Sequence, residues 1–310
     1  MITTFGGGVG AGKFLEGLYS QNSKKELNII VNTADDINIY DVRVSPDVDS
    51  ILYWLSGKVD RRKGWGIKGD TFNHLKKRNA NDSWFNLGDQ DLAENLKKKL
   101  LINKGSSLQE VVDYQRKKLK IRRANIFPMT NQEVETFITS KKKKIHFQEY
   151  LIKYKMKPKI EKVIFRNIRK SRPSEGIIDK INKSKFIIFC PSNPIISIGP
   201  ILSVPGIRTA IKNSKAIKIA ISPIVGGRAF KGPVLDFMKA KGLEPSVIGV
   251  ASFYKDLVDY FMVDNEDKKY ENKIKSLGVV PIFKNIRMTK KLVSVNMSKS
   301  ILELPNKWRK

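Results

Sequence analysis

The opening of this chain constrains its fold more than any other stretch, because it spells strand, glycine loop, helix and strand in immediate succession. Met1–Phe5 is short and apolar, Gly6–Gly12 is glycine-rich, and Phe14, Leu15 and Leu18 make one apolar face at helical spacing. Leu27–Val31 then has the composition of a buried strand. Strand, crossover helix and strand make a βαβ unit, the building block of parallel sheet. Within the loop, Gly6-Gly7-Gly8-Val9-Gly10-Ala11 fits G-x-G-x-x-A. Glycines there let backbone N–H groups approach a phosphate at the positive end of a helix, with Gly7, Gly8 and Gly10 as the contacts. Many such turns serve only to pack a helix closely on a sheet. The stretch also nearly spells a P-loop through Gly12-Lys13, but Phe14 stands where Ser or Thr should hold Mg²⁺. A standard P-loop NTPase is therefore excluded.

The same rhythm returns later. Phe186–Cys190, Ala216–Ile221, Tyr260–Asp264 and Gly278–Phe283 read as further strands separated by helical stretches. Ser45-Pro46 reads as a helix start, with Ser45 as N-cap and Pro46 at the first helical position. Residues 90–120 read as helices. Residues 125–152 alternate like strands, with Lys141–Lys144 as the tip between two of them. The reading is α/β: one Rossmann-like, doubly wound, mainly parallel sheet spanning residues 1–310. A small inserted α/β subdomain over roughly residues 60–155 lines the acceptor pocket.

Other classes fall away on composition. No apolar run reaches the ~20 residues of a membrane span, and the N-terminus lacks the basic-then-apolar order of a secretory signal. The single cysteine, Cys190, has no internal partner and fits a reducing compartment, so a cytoplasmic location is expected. With only His74 and His146 beside it, zinc clusters and Cys–His pairs are implausible. Lys and Arg number 59 against 30 Asp and Glu, a formal charge of +29. The lysines are scattered, as in Lys97-Lys98-Lys99 and Lys290-Lys291, and read as a solvated surface; nucleic acid is not the expected partner.

Two further clusters carry potential chemistry. Asn32-Thr33-Ala34-Asp35-Asp36 ends the second strand, where open α/β sheets bind ligands. Asp47 and Asp49 follow at a helix start. Carboxylates in a first turn usually answer the helix dipole, which suffices for Asp47. Clustered beside a phosphate loop they also invite a hard cation, and two positions apart on a helix they cannot face the same way. Asp35 with Asp49 is the expected pair. Pro191-Ser192-Asn193-Pro194, running on to Gly199-Pro200, follows a buried strand, and Ser222-Pro223 repeats the theme one strand later. Such groups donate to phosphate or read a base edge, or simply build a turn.

Together these segments resemble the 2-phospho-L-lactate transferases of coenzyme F-420 biosynthesis. The resemblance is carried by Gly6–Gly12, Asn32–Asp36, Ser45–Asp49, Trp65-Gly66, Asp70-Thr71-Phe72, Leu87–Ala93, His146–Glu149, Pro191–Pro194, Ile198-Gly199-Pro200 and Ser222-Pro223-Ile224, in that order. It implies transfer of a phospholactyl or phosphoenolpyruvyl group from a guanosine-diphospho-linked donor to the ribityl hydroxyl of the deazaflavin Fo, releasing GMP. It also implies Mg²⁺ at Asp35, Asp36 and Asp49, with Asp35 and Asp49 catalytic. Gly7, Gly8, Gly10, Ser192, Asn193, Gly199, Ser222 and Pro223 would hold the guanosine diphosphate. Trp65, Asn86 and Asp89 would border the deazaflavin, Asn86 departing from a lysine expected in some relatives. A homodimer is the family expectation; the basic Trp308-Arg309-Lys310 is outside the family pattern. Two other readings stand beside it: a regulatory protein of the related fold that binds nucleotide-sugars without turnover, and an RNA-binding protein drawn by the charge.

Overall fold

The computed structural model describes residues 1–21, 26–77, 83–229 and 233–304, so Trp308-Arg309-Lys310 lies outside the described residues. Strand β1 (Ile2–Gly6), helix α1 (Gly8–Gln21) and strand β2 (Leu27–Val31) form the expected βαβ unit. The chain then leaves the sheet through an antiparallel pair, β3 (Ile37–Ile39) and β4 (Val42–Val44). Helices α2 (Pro46–Ser56), α3 (Asn73–Lys76), α4 (Asp89–Asn103) and α5 (Leu108–Lys118) follow. It returns as β5 (Ala124–Pro128) beside β2. A second antiparallel sheet follows, from β6 (Glu135–Ser140), β7 (Lys143–His146) and β8 (Lys162–Arg166). The remaining strands are β9 (Phe186–Phe189), β10 (Ile217–Ile221), the short hairpin β11 (Ile224–Val225) and β12 (Arg228–Ala229), β13 (Tyr260–Asp264) and β14 (Val280–Lys284).

The main sheet has seven strands in the order β14-β13-β10-β9-β1-β2-β5, all parallel. Strand sequence thus runs outward in opposite directions from β1 and β9, the doubly wound arrangement. The crevice outside the carboxyl ends of these two strands is the topological switch point where such sheets bind ligands. Alternation along each strand explains why both faces are buried. Phe5, Ile30, Ile187, Phe189 and Val263 join one apolar layer, and Ile2, Ile29, Val31, Ile188 and Ile221 the other. Helix Lys291–Leu302 packs across α1, where Gly17 leaves room for Ser294. Among the described residues no single helix is long and apolar enough to cross a membrane.

Two local expectations change. Residues 60–155 do not form one insert, because β5 within that range belongs to the main sheet; two separate excursions, before and after β5, flank it. A buried parallel strand of five residues carries little signal among helices and hairpins. Only Lys141 and Lys142, with φ of 46° and 64°, make the hairpin tip, while Lys143 and Lys144 already pair in β7.

Candidate functional site

A cavity of about 530 Å³ opens at the switch point. Its wall brings together most of the residues singled out from the sequence. Gly7, Gly8 and Gly10 come from the loop after β1, Asp35 from the end of β2, Asp49 from α2, and Ser192 and Asn193 from the loop after β9. Pro223 follows β10, and Trp65 and Asn86 come from the first excursion. Asp36, Asp89, Gly199 and Ser222 are not in this wall.

The two loops at the switch point are bonded to one another. The Gly7 N–H donates to Ser192 Oγ at 3.2 Å, and the Ser192 hydroxyl donates to the Gly7 carbonyl at 2.9 Å. Asn193 Oδ1 accepts from the Ile195 and Ile196 amides and caps the turn that follows. A Cβ on Gly10 would overlap the Pro191 carbonyl oxygen, a backbone atom with little freedom to retreat. Gly12 serves packing alone, since a side chain there would overlap the indole of Trp54. Gly10→Ala is expected to destabilise the fold by about 1–3 kcal/mol through overpacking. Denaturant midpoints check this; a wild-type midpoint in the variant would refute the close approach.

The acidic half of the site is built by Asn32. Its Nδ2 donates to Asp47 Oδ2 at 3.0 Å and to the Ile196 carbonyl at 3.3 Å, and its Oδ1 accepts from the Ala34 amide. Asp47 is thereby drawn from α2 toward the glycine loop, where a Cβ on Gly7 would overlap its carboxylate. Gln148 Nε2 donates to the Asp35 carbonyl at 2.9 Å and fixes the strand end. Burial, then the nearby Asp47 carboxylate, pushes Asp35 well above the usual carboxylate range. Burial pushes Asp47 up to about 6, opposed by the Asn32 amide. Asp35 Oδ1 is buried without a hydrogen-bond partner.

Asp36 and Asp49 each face a cation. Asp36 accepts from Arg43 Nε at 2.9 Å and from Ser45 Oγ at 2.8 Å; burial raises its pKa while Arg43 and Lys98 oppose the rise. Ser45 therefore makes no side-chain cap on α2, contrary to expectation, because its hydroxyl is spent on Asp36. Asp49 lies 3.9 Å from the Nζ of Lys98, a lysine only 2% exposed, and burial raises its pKa against that cation. Lys98 was expected on a solvated lysine run. In fact it lies beneath the acidic cluster and also reaches Ser45 Oγ at 3.3 Å.

Three other expected contacts have structural roles. Asp89 accepts from Thr71 Oγ1 at 2.5 Å and from the Asn73 and His74 amides, which lowers its pKa to about 2 and spends it on the turn into α3. Ser222 Oγ bonds both the amide and the carbonyl of Ile224. Gly199 opens the short helix Gly199–Ser203 against Phe165. Sequence reasoning passed over Tyr53 and Asp91, which face the cavity and bond at 2.5 Å. Asp91 sits within the quoted Leu87–Ala93 segment, two residues past Asp89.

The arrangement has two ends. Glycine amides, Ser192, Asn193 and paired carboxylates suit a phosphate and its counter-ion; Trp65, Phe85, Leu87 and Met156 offer an apolar wall for a planar group. Among the described residues no three His, Cys, Asp or Glu side chains are placed to hold a metal ion together. Two adjacent buried carboxylates with an unpartnered oxygen nonetheless fit a hard divalent cation that draws its other ligands from phosphate and water.

Comparison with known proteins gives the family. The family model described as "2-phospho-L-lactate transferase CofD" matches residues 2–299. The 2-phospho-L-lactate transferase of Methanocaldococcus jannaschii is 39% identical over 280 residues, covering 88% of this chain and 89% of the relative. That of Methanosarcina mazei is 36% identical over 276 residues, covering 88% and 90%. The phosphoenolpyruvate transferase of Streptomyces coelicolor is 33% identical over 319 residues, covering 99% of each. In the same fold, a Bacillus halodurans protein of the UPF0052 family superimposes with a TM-score of 0.67 at 22% identity, covering 97% of this chain and 98% of its own. On the family match, and on relatives similar along nearly their whole length, this chain belongs to the 2-phospho-L-lactate transferase family.

Proposed function

We propose that this protein transfers a phospholactyl or phosphoenolpyruvyl group from a guanosine-diphospho-linked donor to the ribityl hydroxyl of the deazaflavin Fo, releasing GMP. The observation that carries this reading is the single cavity that joins a phosphate-type end to an aromatic end. Reaction between a diphosphate and a hydroxyl on a flat ring system needs those two surfaces in one enclosure. The glycine loop, Ser192 and Asn193 hold the diphosphate, and Trp65, Phe85 and Asn86 border the ring.

Mg²⁺ belongs to this reading. Asp35 and Asp47 would hold it, since Asp36 is engaged by Arg43 and Asp49 by Lys98. Bound there, it would neutralise charge developing on the leaving phosphate. Asp35, with its strand end fixed by Gln148, and Asp47, drawn in by Asn32, are preorganised for that task.

The test is GMP release by purified protein given Fo, Mg²⁺ and the guanylyl-activated phospholactate, with the phosphoenolpyruvate donor in parallel. Release that requires both Fo and Mg²⁺ is expected, and the faster donor identifies the acid. Nucleotide binding without release from either donor would instead favour a regulatory role.

A further inference from the structure

We propose that Asp91 is the group that takes the proton from the attacking hydroxyl. This rests on the transfer reading above, which requires an alcohol to become a phosphoester oxygen. The carboxylates lining the cavity divide by position. Asp35 and Asp47 stand at the glycine-loop end, and Asp49 is ion-paired with Lys98. Asp91 pairs with no cation among the described residues and shares its part of the wall with Trp65 and Gly66.

Asp91 is also held in one orientation. The Tyr53 hydroxyl donates to its Oδ1 at 2.5 Å. Its amide donates to Asp70 Oδ2 at 3.0 Å, and its carbonyl accepts from Asn95 Nδ2 at 2.8 Å. Its Oδ2 lies toward Gly66, 3.8 Å from where a Cβ there would stand. A tethered carboxylate with one oxygen left for the ligand is the geometry a proton acceptor needs.

Its surroundings suit the task near neutral pH. Burial, then Asp49, raises Asp91 to about 7, against the donation from Tyr53. The charged and titratable groups facing it are Asp49 and Tyr53 from α2, Asp70 from the preceding loop, and Lys98 from its own helix. In the step itself, the acceptor oxygen bonds to the phosphorus that carries the three-carbon acid. The bond from that phosphorus to the bridging oxygen breaks, and GMP departs with the electron pair. The hydroxyl proton passes to Asp91 Oδ2 and reaches solvent when product leaves.

Asp91→Asn tests this directly, because the amide keeps the shape and can still accept from Tyr53. We expect kcat for Fo-dependent GMP release to fall by about 10²–10⁴, with guanosine diphosphate affinity unchanged and the melting temperature not lowered. Tyr53→Phe, which keeps the base but frees its orientation, should lose less. The acid limb of its kcat profile should move upward, since the lost donation had held Asp91 down. If wild type turns over and Asp91→Asn matches it within threefold, with the acid limb intact, Asp91 is not the acceptor. If wild type itself releases no GMP with Fo, the transfer reading fails and this proposal falls with it.

Discussion

Asp35→Asn is expected to lower Mg²⁺-dependent GMP release by at least about 10³-fold, several kcal/mol of lost charge stabilisation, while raising the melting temperature of the metal-free protein. The two effects have opposite signs for one reason. Asp35 and Asp47 are buried side by side with Asn32 as a shared polar support, and Asp35 Oδ1 is left without a partner. Without a cation their charges repel; with one, on the function proposed above, they would be its ligands. The pH dependence follows from the same pair. Folding raises both pKa values above the ordinary 3.8, Asp47 to about 6. Between those values the native state binds more protons than the unfolded state, so stability falls as pH rises. In chelator, wild type should lose stability as pH rises from about 4 through 6, and Asp35→Asn should flatten that slope. Thermal melts with chelator and with Mg²⁺, beside the GMP assay, decide the matter. A variant that melts lower in chelator at pH 8 would show that the carboxylates are not an uncompensated pair.

Lys98→Met should be the more damaging change to the fold. The methionine fills nearly the same volume, so the loss is electrostatic. Lys98 is the buried cation beside Asp49 and Ser45, and its charge also opposes the raised pKa of Asp36 and Asp91. Removing one partner of a buried ion pair costs about 3–5 kcal/mol, because the other is left charged in a poor solvent. Denaturant unfolding should show that loss at pH 8. A smaller loss is expected as pH falls, because Asp49, whose pKa is already raised by burial, can escape by taking up a proton. Adding Asp49→Asn should recover much of the stability, as expected for directly coupled partners. Unchanged unfolding of Lys98→Met would mean that water, not Lys98, compensates Asp49.

The fold was legible because its strands are buried on both faces and so read as apolar runs. The location of the site was legible for a related reason, since loops after β1, β2, β9 and β10 must share one edge of a parallel sheet. The facing of individual side chains was not. Asp47 and Asp49, like Asp89 and Asp91, are carboxylates two positions apart near a helix start. Which of each pair turns inward depends on how the helix is rolled against the sheet. Asn32 supports Asp47 beside the glycine loop, and Thr71 with the amides around His74 holds Asp89 in a turn. Lys98 hid within three consecutive lysines, where only tertiary packing separates a buried cation from two solvated neighbours. The hydroxyl of Ser45 could equally have capped α2 or bonded Asp36, and local sequence does not arbitrate between them.

The paired bonds between Gly7 and Ser192 join positions 185 residues apart. A ribosome therefore releases well over half of the polypeptide before the two loops can meet. Contacts of such long range impose loop-closure entropy and slow folding. Until the fourth strand of the main sheet has docked beside the first, the glycine loop has no partner, and a nascent chain offers the donor nothing to grip. Ligand can then secure this fold only after the first four strands of the main sheet are in place, and not guide its early assembly.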